Sequence, residues 1–311
     1  MDNILALHRE LERGVYKHGG YKHFRISDPK PRDIHKAAVR DRLLHHALYR
    51  QLYPFFDRTF IADSYSCRKG KGTHRAMNRF RQFAYKVSQN HTRTSWVLKC
   101  DIRKFFASID QSILIDLVGR YIPTKRITAL IAEVVTSFRT DDISRRRLDI
   151  RLDIRKGLPL GNLTSQLLVN IYMNEFDQYV KHTLKAKYYI RYSDDFVILS
   201  HDKKYVESLL PYMVTFLRER LRLEMHSDPA SPKATKGHSK VFITTLASGV
   251  DFLGWVHFPD HRVLRTATKR RMLKRLSKNP AQAARESYRG MLGHGNAKKV
   301  LSTIAIQKNG V

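Results

Sequence analysis

The stretch that most constrains this chain is Tyr188-Tyr189-Ile190-Arg191-Tyr192-Ser193-Asp194-Asp195-Phe196-Val197-Ile198-Leu199-Ser200. Two runs of high strand propensity, 188–192 and 196–200, flank a short polar break, the pattern of a tight hairpin. Asp is a common turn residue, so one reading is a plain surface turn. Adjacent carboxylates at a hairpin tip repel each other, however. They are tolerated when cations sit against them, and hard oxygen ligands at a turn suit Mg²⁺.

Charge points the same way. The chain carries 58 Lys and Arg against 28 Asp and Glu, a formal charge of +30 over 311 residues. Self-repulsion on that scale opposes compactness and calls for a polyanionic partner. The cations run from Arg9 to Lys308 rather than forming a tail, which favours a long basic channel over a disordered arm. The 42% hydrophobic content suffices for a core, and the length for two or three domains or one domain with an appendage. The two cysteines, Cys67 and Cys100, form no C-x-x-C pair, so neither a disulfide framework nor a cysteine zinc site is expected. No apolar run reaches membrane-spanning length and the N-terminus lacks a signal-peptide core, so a soluble, cytoplasmic protein without membrane contact is expected.

Along the chain, periodicity predicts a helix over 3–13, a strand over 21–26 and a basic turn at Pro29-Lys30-Pro31-Arg32. Strong helices follow at 39–56 and from residue 73 to about 89, separated by a loop in which glycines alternate with Arg68, Lys69 and Lys71. Such a loop lets backbone amides approach phosphates, although its spacing is not that of a P-loop. A buried strand over 95–100 ends at Asp101, a carboxylate at a strand's carboxyl end, and Phe105-Phe106 come just after. Helices are predicted over 112–121 and 125–138. Residues 148–155 repeat Leu-Asp-Ile-Arg twice and alternate like a strand. The turn Gly157-Leu158-Pro159-Leu160-Gly161-Asn162 leads into a helix over 165–184 that Thr164 or Ser165 can cap. Beyond the hairpin come a helix over 203–221 and strands over 241–246 and 250–257. A highly basic helix spans 266–279, carrying Lys269, Arg270, Arg271, Lys274 and Arg275, and a last helix spans 281–292.

This order resembles the palm, fingers and thumb of reverse transcriptases over nearly the whole chain. The residues that carry it are Lys99-Cys100-Asp101-Ile102-Arg103-Lys104-Phe105-Phe106, Tyr192-Ser193-Asp194-Asp195 and Asp251-Phe252-Leu253-Gly254-Trp255, the last resembling a primer grip. The resemblance implies an α+β right-hand polymerase fold with fingers over 1–94, a palm over 95–265 with a finger insertion at about 122–156, and a helical basic thumb over 266–311. It implies catalysis by Asp101, Asp194 and Asp195 and a metal set of Asp101, Ile102, Asp194 and Asp195. The cofactor would be two Mg²⁺ ions, with Mn²⁺ able to substitute. Lys30 and Arg32, or Arg40 and Arg42, would meet the triphosphate, and the sequence leaves that choice open. Phe105, Phe106, Leu160, Gly161, Ser165 and Gln166 would line the nucleotide site. Arg68, Lys69, Lys71, Phe252, Leu253, Gly254 and the thumb cations would hold nucleic acid.

The glycine turn narrows the subfamily. Leu160 stands where related enzymes usually carry Gln, and Ser165-Gln166 stands in place of Ser-Pro, as in the enzymes of diversity-generating retroelements. Residues 29–32, 41–43, 65–74 and 287–296 resemble the same group, whereas Ser193 departs from its usual Met, Ala or Val. The expected activity is therefore error-prone RNA-directed DNA synthesis, mutagenic at template adenines, with template RNA, RNA/cDNA duplex, dNTPs and a small basic accessory protein oligomer as partners. The alternatives are a defence-associated or group II intron-like reverse transcriptase and a non-catalytic RNA-binding scaffold.

Overall fold

The structure is a computed structural model that describes residues 2–27, 31–138, 155–226, 241–278, 281–297 and 300–301. Lys30 and most of the Leu-Asp-Ile-Arg repeat lie outside these residues.

Helix α1 (Asp2–Arg13) precedes an antiparallel pair, β1 (Tyr21–Ile26) and β2 (Arg32–Ala37), whose outer positions are largely exposed. Helices α2 (Val39–Thr59) and α3 (Thr73–Val87) follow. Each buries an apolar stripe: Leu44, Leu48, Leu52 and Phe56 on the first, and Ala76, Phe80, Phe83, Ala84 and Val87 on the second. Strand β3 (Trp96–Asp101) leads through a single helical turn, α4 (Phe105–Ser108), to α5 (Gln111–Tyr121) and α6 (Lys125–Thr136). The start of α5 is fixed by Asp110, whose carboxylate accepts from the backbone of Ser112 and Ile113 at 3.0 and 3.1 Å. Arg222 completes the buried Asp110 with a 2.7 Å ion pair.

Helix α7 (Leu163–Gln178) is buried nearly all round, and it runs on through a π-helical turn at Tyr179–Thr183. It starts before the position expected from Thr164 and Ser165, with Asn162 as its first flanking residue and no side-chain cap. The hairpin β4 (Tyr189–Tyr192) and β5 (Asp195–Ser200) and helix α8 (Lys203–Leu221) come next. Strand β6 (Phe242–Thr245) closes a four-stranded antiparallel sheet in the order β4-β5-β3-β6. Tyr172, Phe176, Tyr189, Phe196 and Ile198 fill one face of this sheet under α7 and α8, where full burial of each side chain contributes roughly 1.5–3 kcal/mol. Val97, Ile190, Val197 and Leu199 fill the other face against α3. Both faces are covered, which explains why the strands read as nearly continuous apolar runs.

The single strand expected over 250–257 is instead a hairpin, β7 (Val250–Phe252) and β8 (Trp255–His257). Leu253 and Gly254 both take positive φ, 53° and 86°, as a two-residue primed turn requires. Strand β9 (Arg262–Leu264) extends this to a three-stranded sheet. Helices α9 (Thr266–Lys278) and α10 (Gln282–Leu292) pack on it through Trp255, Leu264, Met272, Leu276 and Leu292.

Candidate active site

The ladder between β3 and β5 sets Asp101 directly opposite Asp195. One step further the Ile102 N–H donates to the Asp194 carbonyl at 3.1 Å. Asp101 and the Asp194-Asp195 pair, from two distant parts of the chain, therefore lie together at one end of the central strand pair. On the other side of β5, Tyr192 pairs with Asp195, which leaves Ser193 and Asp194 as a two-residue loop. Ser193 holds φ at 59°, and its carbonyl accepts from Arg191 Nη1 at 3.1 Å, so the loop is pinned from below.

The electrostatics of this corner are unbalanced. Burial pushes the Asp195 carboxyl up to about 7; Lys99 pulls against that, while Asp101 and Asp194 push it further. Asp195 Oδ2 lies 3.5 Å from Lys99 Nζ, which also donates to the Asp251 carbonyl at 2.6 Å. Asp195 Oδ1 is buried and has no hydrogen-bond partner among the described residues. Asp101 Oδ1 is 3.6 Å from His226 Nε2, and the His226 N–H donates to the Asp101 carbonyl at 3.0 Å. An orphaned buried carboxylate oxygen beside two further carboxylates is a donor set that suits a hard divalent cation. Among the described residues, no three His, Cys, Asp or Glu side chains are arranged to hold a metal ion as they stand. Lys99 and His226, to which the sequence assigned no part in the site, lie beside two of these carboxylates.

A second element missed in the sequence supports the loop. Arg191 and Asp177 are both fully buried and form a two-pronged ion pair at 2.8 and 2.6 Å. Tyr189 donates to the same carboxylate at 2.6 Å, and Arg191 also reaches Asn170 and Ser64. Spacing along the chain hides this pair, because Asp177 lies on a helix and Arg191 on a strand.

The glycine turn docks on β2. The His35 N–H donates to the Leu160 carbonyl at 2.9 Å; Asn162 donates to the His35 carbonyl at 2.8 Å and accepts from the Ala37 N–H at 3.3 Å. Gly161 is required here: its φ is 107°, and a Cβ would lie 2.8 Å from Ile34 Cγ2. Leu160, Gln166 and Phe106 are half-buried at the surface of this region, and the Leu158 N–H donates to the Phe106 carbonyl at 2.9 Å.

Several expected contacts take other places. Phe105 is a core residue, 3% exposed, and turns its ring edge against Phe106. Ser165 is buried on α7 rather than displayed in the turn. Arg40 is held by Glu10, Asp41 and the Lys17 carbonyl, whereas Arg42 keeps a buried Nε with no partner among the described residues. Arg32 is exposed at the start of β2. Arg68 is a structural tie: its guanidinium binds Asp57 at 2.7 Å and the carbonyls of Ile61 and Ser64. Lys71 donates to the Ala62 carbonyl, and Lys69 is exposed beside the Tyr53 ring. Phe252 is fully buried against Phe80, which leaves half-buried Leu253 and Gly254 at the hairpin tip. Lys269, Arg270, Arg271, Lys274 and Arg275 all lie on the exposed face of α9, opposite buried Met272 and Leu276. Among the described residues no helix is long and apolar enough to cross a membrane.

Comparison with known proteins fits this geometry. Residues 25–255 match the family model described as reverse transcriptase (RNA-dependent DNA polymerase). The chain is 24% identical over 291 residues to Protein YkfC of Escherichia coli (strain K12), covering 83% of this chain and 70% of that protein. It is 23% identical over 190 residues to the group II intron-encoded protein LtrA of Lactococcus lactis subsp. cremoris, covering 60% of this chain and 29% of that one. The fold matches telomerase from Candida albicans, solved with a TWJ fragment of telomeric RNA, with a TM-score of 0.53 at 11% identity, over 82% of this chain and 46% of that one. Apo telomerase from Candida Tropicalis, truncated from its C-terminal domain, gives 0.52 at 10% identity over 85% of this chain and 60% of its own. The architecture is the palm, fingers and thumb of a right-hand polymerase. The chain belongs to the reverse transcriptase family, the RNA-directed DNA polymerases.

Proposed function

We propose that this chain copies an RNA template into DNA at Asp101, Asp194 and Asp195, and that it does so as the mutagenic polymerase of a diversity-generating retroelement. The observation that carries the chemistry is the Asp101–Asp195 pairing with the adjoining Ile102–Asp194 hydrogen bond. Asp101, Asp194 and Asp195, with Ile102 beside them, would hold divalent cations, Mg²⁺ by preference. Such ions, when bound, activate the primer hydroxyl and stabilise charge on the triphosphate.

The chain's own residues do the rest. Lys99 steadies Asp195 from the side away from the loop, and Arg191 holds the loop that presents Asp194. Arg42 and Arg32 supply cations for the triphosphate, and Phe106 limits space at the sugar 2′ position. Exposed cations of α9 track the duplex backbone. The three subdomains divide at about residues 94 and 265, with a finger insertion over 122–156. Cytoplasmic location and a small basic accessory oligomer belong to the same reading.

The diversity-generating assignment rests on Leu160 in the glycine turn and Ser165-Gln166 after it. An apolar side chain at 160 cannot hydrogen-bond around the nucleotide, so the base pair loses polar positioning. Similarity to LtrA favours a second reading, a group II intron-like enzyme. One experiment separates them: the purified chain with Mg²⁺, dNTPs, a DNA primer and a defined RNA yields cDNA that is sequenced. Errors concentrated opposite template adenine, reduced by Leu160→Gln, support mutagenic copying; uniform fidelity supports the second reading. Asp101→Asn should lower synthesis about a hundredfold or more. Undiminished synthesis by that variant would remove the basis of both.

A further inference from the structure

A cavity of about 370 Å³ lies where α3, the turn between β8 and β9, and the turn after α10 meet. It sits at the end of the β7–β8 hairpin away from the Leu253-Gly254 tip. Its lining includes Arg81, His257, Phe258, His261 and Arg262, none of which the proposed polymerase chemistry uses.

Two of these side chains carry unmet hydrogen-bonding capacity. His257 is 3% exposed, and the Phe252 backbone beside its ring favours the tautomer with the proton on Nδ1, which leaves Nε2 as an acceptor in the neutral imidazole. Burial lowers this histidine to about 4 and so keeps it neutral. His257 Nε2 is buried without a partner among the described residues. Arg262 donates through Nε to the His294 carbonyl and through Nη2 to Asn78 at 3.1 Å, while Nη1 is buried without a partner among the described residues. Arg81 repels it across the same cavity. At the rim the Phe258 and His261 rings stack at 4.9 Å and 13°, a flat aromatic face. Asp260, also in the lining, is turned to His261 at 2.7 Å.

Two guanidinium groups want an anion, a buried imidazole acceptor wants a hydrogen donor, and a stacked ring pair offers a planar surface. Phosphate, sugar hydroxyl and base combine these three in one ligand. The volume is in the usual range of small-molecule sites, about 300–1,000 Å³. We propose that this cavity is a second nucleotide-binding site, apart from the catalytic carboxylates, with the phosphate on Arg81 and Arg262 and a donor of the nucleotide on His257. The occupant is a mononucleotide unit, either free or part of an RNA strand held outside the polymerase cleft.

The test titrates the full chain in EDTA, which keeps metal-dependent triphosphate binding out of the measurement. The probes are adenosine 5′-monophosphate and a tetraadenylate, followed by tryptophan fluorescence, because the Arg262 guanidinium lies 5.9 Å from the Trp255 ring. Arg81→Glu, on the exposed face of α3, should weaken binding about tenfold or more, as expected for losing a charge-assisted bond. Lys86→Glu makes the same charge change on the same helix outside the cavity and should leave binding within about twofold, since screening weakens exposed charges at a distance. Tighter Arg81-dependent binding of the tetraadenylate than of the monophosphate identifies a strand unit; equal binding identifies a free nucleotide. Absence of saturable binding by both probes overturns the proposal, and so does an equal loss in the two variants. Primer extension by Arg81→Glu on a homopolymer template separates this outcome from failure of the polymerase reading, since that activity should persist.

Discussion

Phe106 stands five residues after Asp101, and its half-buried ring lies beside the core residue Phe105. The two phenylalanines look equivalent in the sequence; burial separates them, because α4 is one turn long and only one ring can enter the core. If the Phe106 ring crowds the 2′ position of an incoming nucleotide, Phe106→Ala should admit ribonucleotides. Single-nucleotide primer extension should then show the preference for dNTP over rNTP falling about tenfold or more, the scale of a lost steric contact. Unchanged discrimination would take Phe106 out of the site. That Asp101, Asp194 and Asp195 come together was legible in the sequence, because carboxylates at a strand end and a hairpin tip with apolar strands on either side stand out from the packing pattern. Lys99 and His226 were not, because a Lys in a strand and a His after a helix are ordinary surface residues until the sheet brings them to a carboxylate.

The elements were read well where one period dominated. Helix Lys203–Leu221 falls where amphipathicity puts it, and strand Tyr21–Ile26 covers the residues expected of it. Apolar Leu253 makes 250–257 look like one strand, whereas its positive φ makes it half of a turn. The start of α7 was misplaced because Asn162, the true flanking residue, spends its carboxamide on β2 rather than on the helix end. The Arg191–Asp177 pair, joining α7 to β4, carries its own test. Arg191→Met leaves Asp177 charged and buried without its partner, which should cost about 3–5 kcal/mol in urea unfolding. Arg191→Met with Asp177→Leu should recover most of that loss, since apolar replacements remove both charges from the interior. A double variant as unstable as the single one would mean that Asn170 and Ser64 need the arginine, or Tyr189 the carboxylate, for reasons other than charge balance.

At the scale of the molecule, acid should loosen the fold through its buried imidazoles. His45, 1% exposed, is contacted by Thr164 and His18, and it is lowered to about 4 by burial and by His18, with Asp41 opposing and His46 adding. His257 is lowered to about 4 as well. The unfolded chain takes up protons near 6.5 while the native chain stays neutral, so stability is full above 6.5 and falls as pH drops towards 4. Each histidine accounts for up to about 3 kcal/mol over that window. Urea midpoints measured between these limits should show a shallower acid loss for His45→Asn than for the wild type; parallel curves would place the acid sensitivity elsewhere. The basic face of α9 makes a separate forecast. Lys269→Gln and Lys274→Gln should each lower the slope of log affinity for an RNA/DNA duplex against log salt by about 1, if these side chains meet phosphates.

Strand β3 carries Asp101 and has a hydrogen-bonded neighbour on either side, β5 and β6. Sliding it by one residue against β5 would turn every side chain it contributes to the opposite face, so single insertions or deletions in 96–101 or 195–200 should be lethal to activity, whereas point changes at Leu160, Phe106 or Arg42 leave the ladder intact. If Leu160 and Phe106 set copying accuracy as proposed, changes in that accuracy arise outside the sheet, while the register of β3 against β5 tolerates almost none.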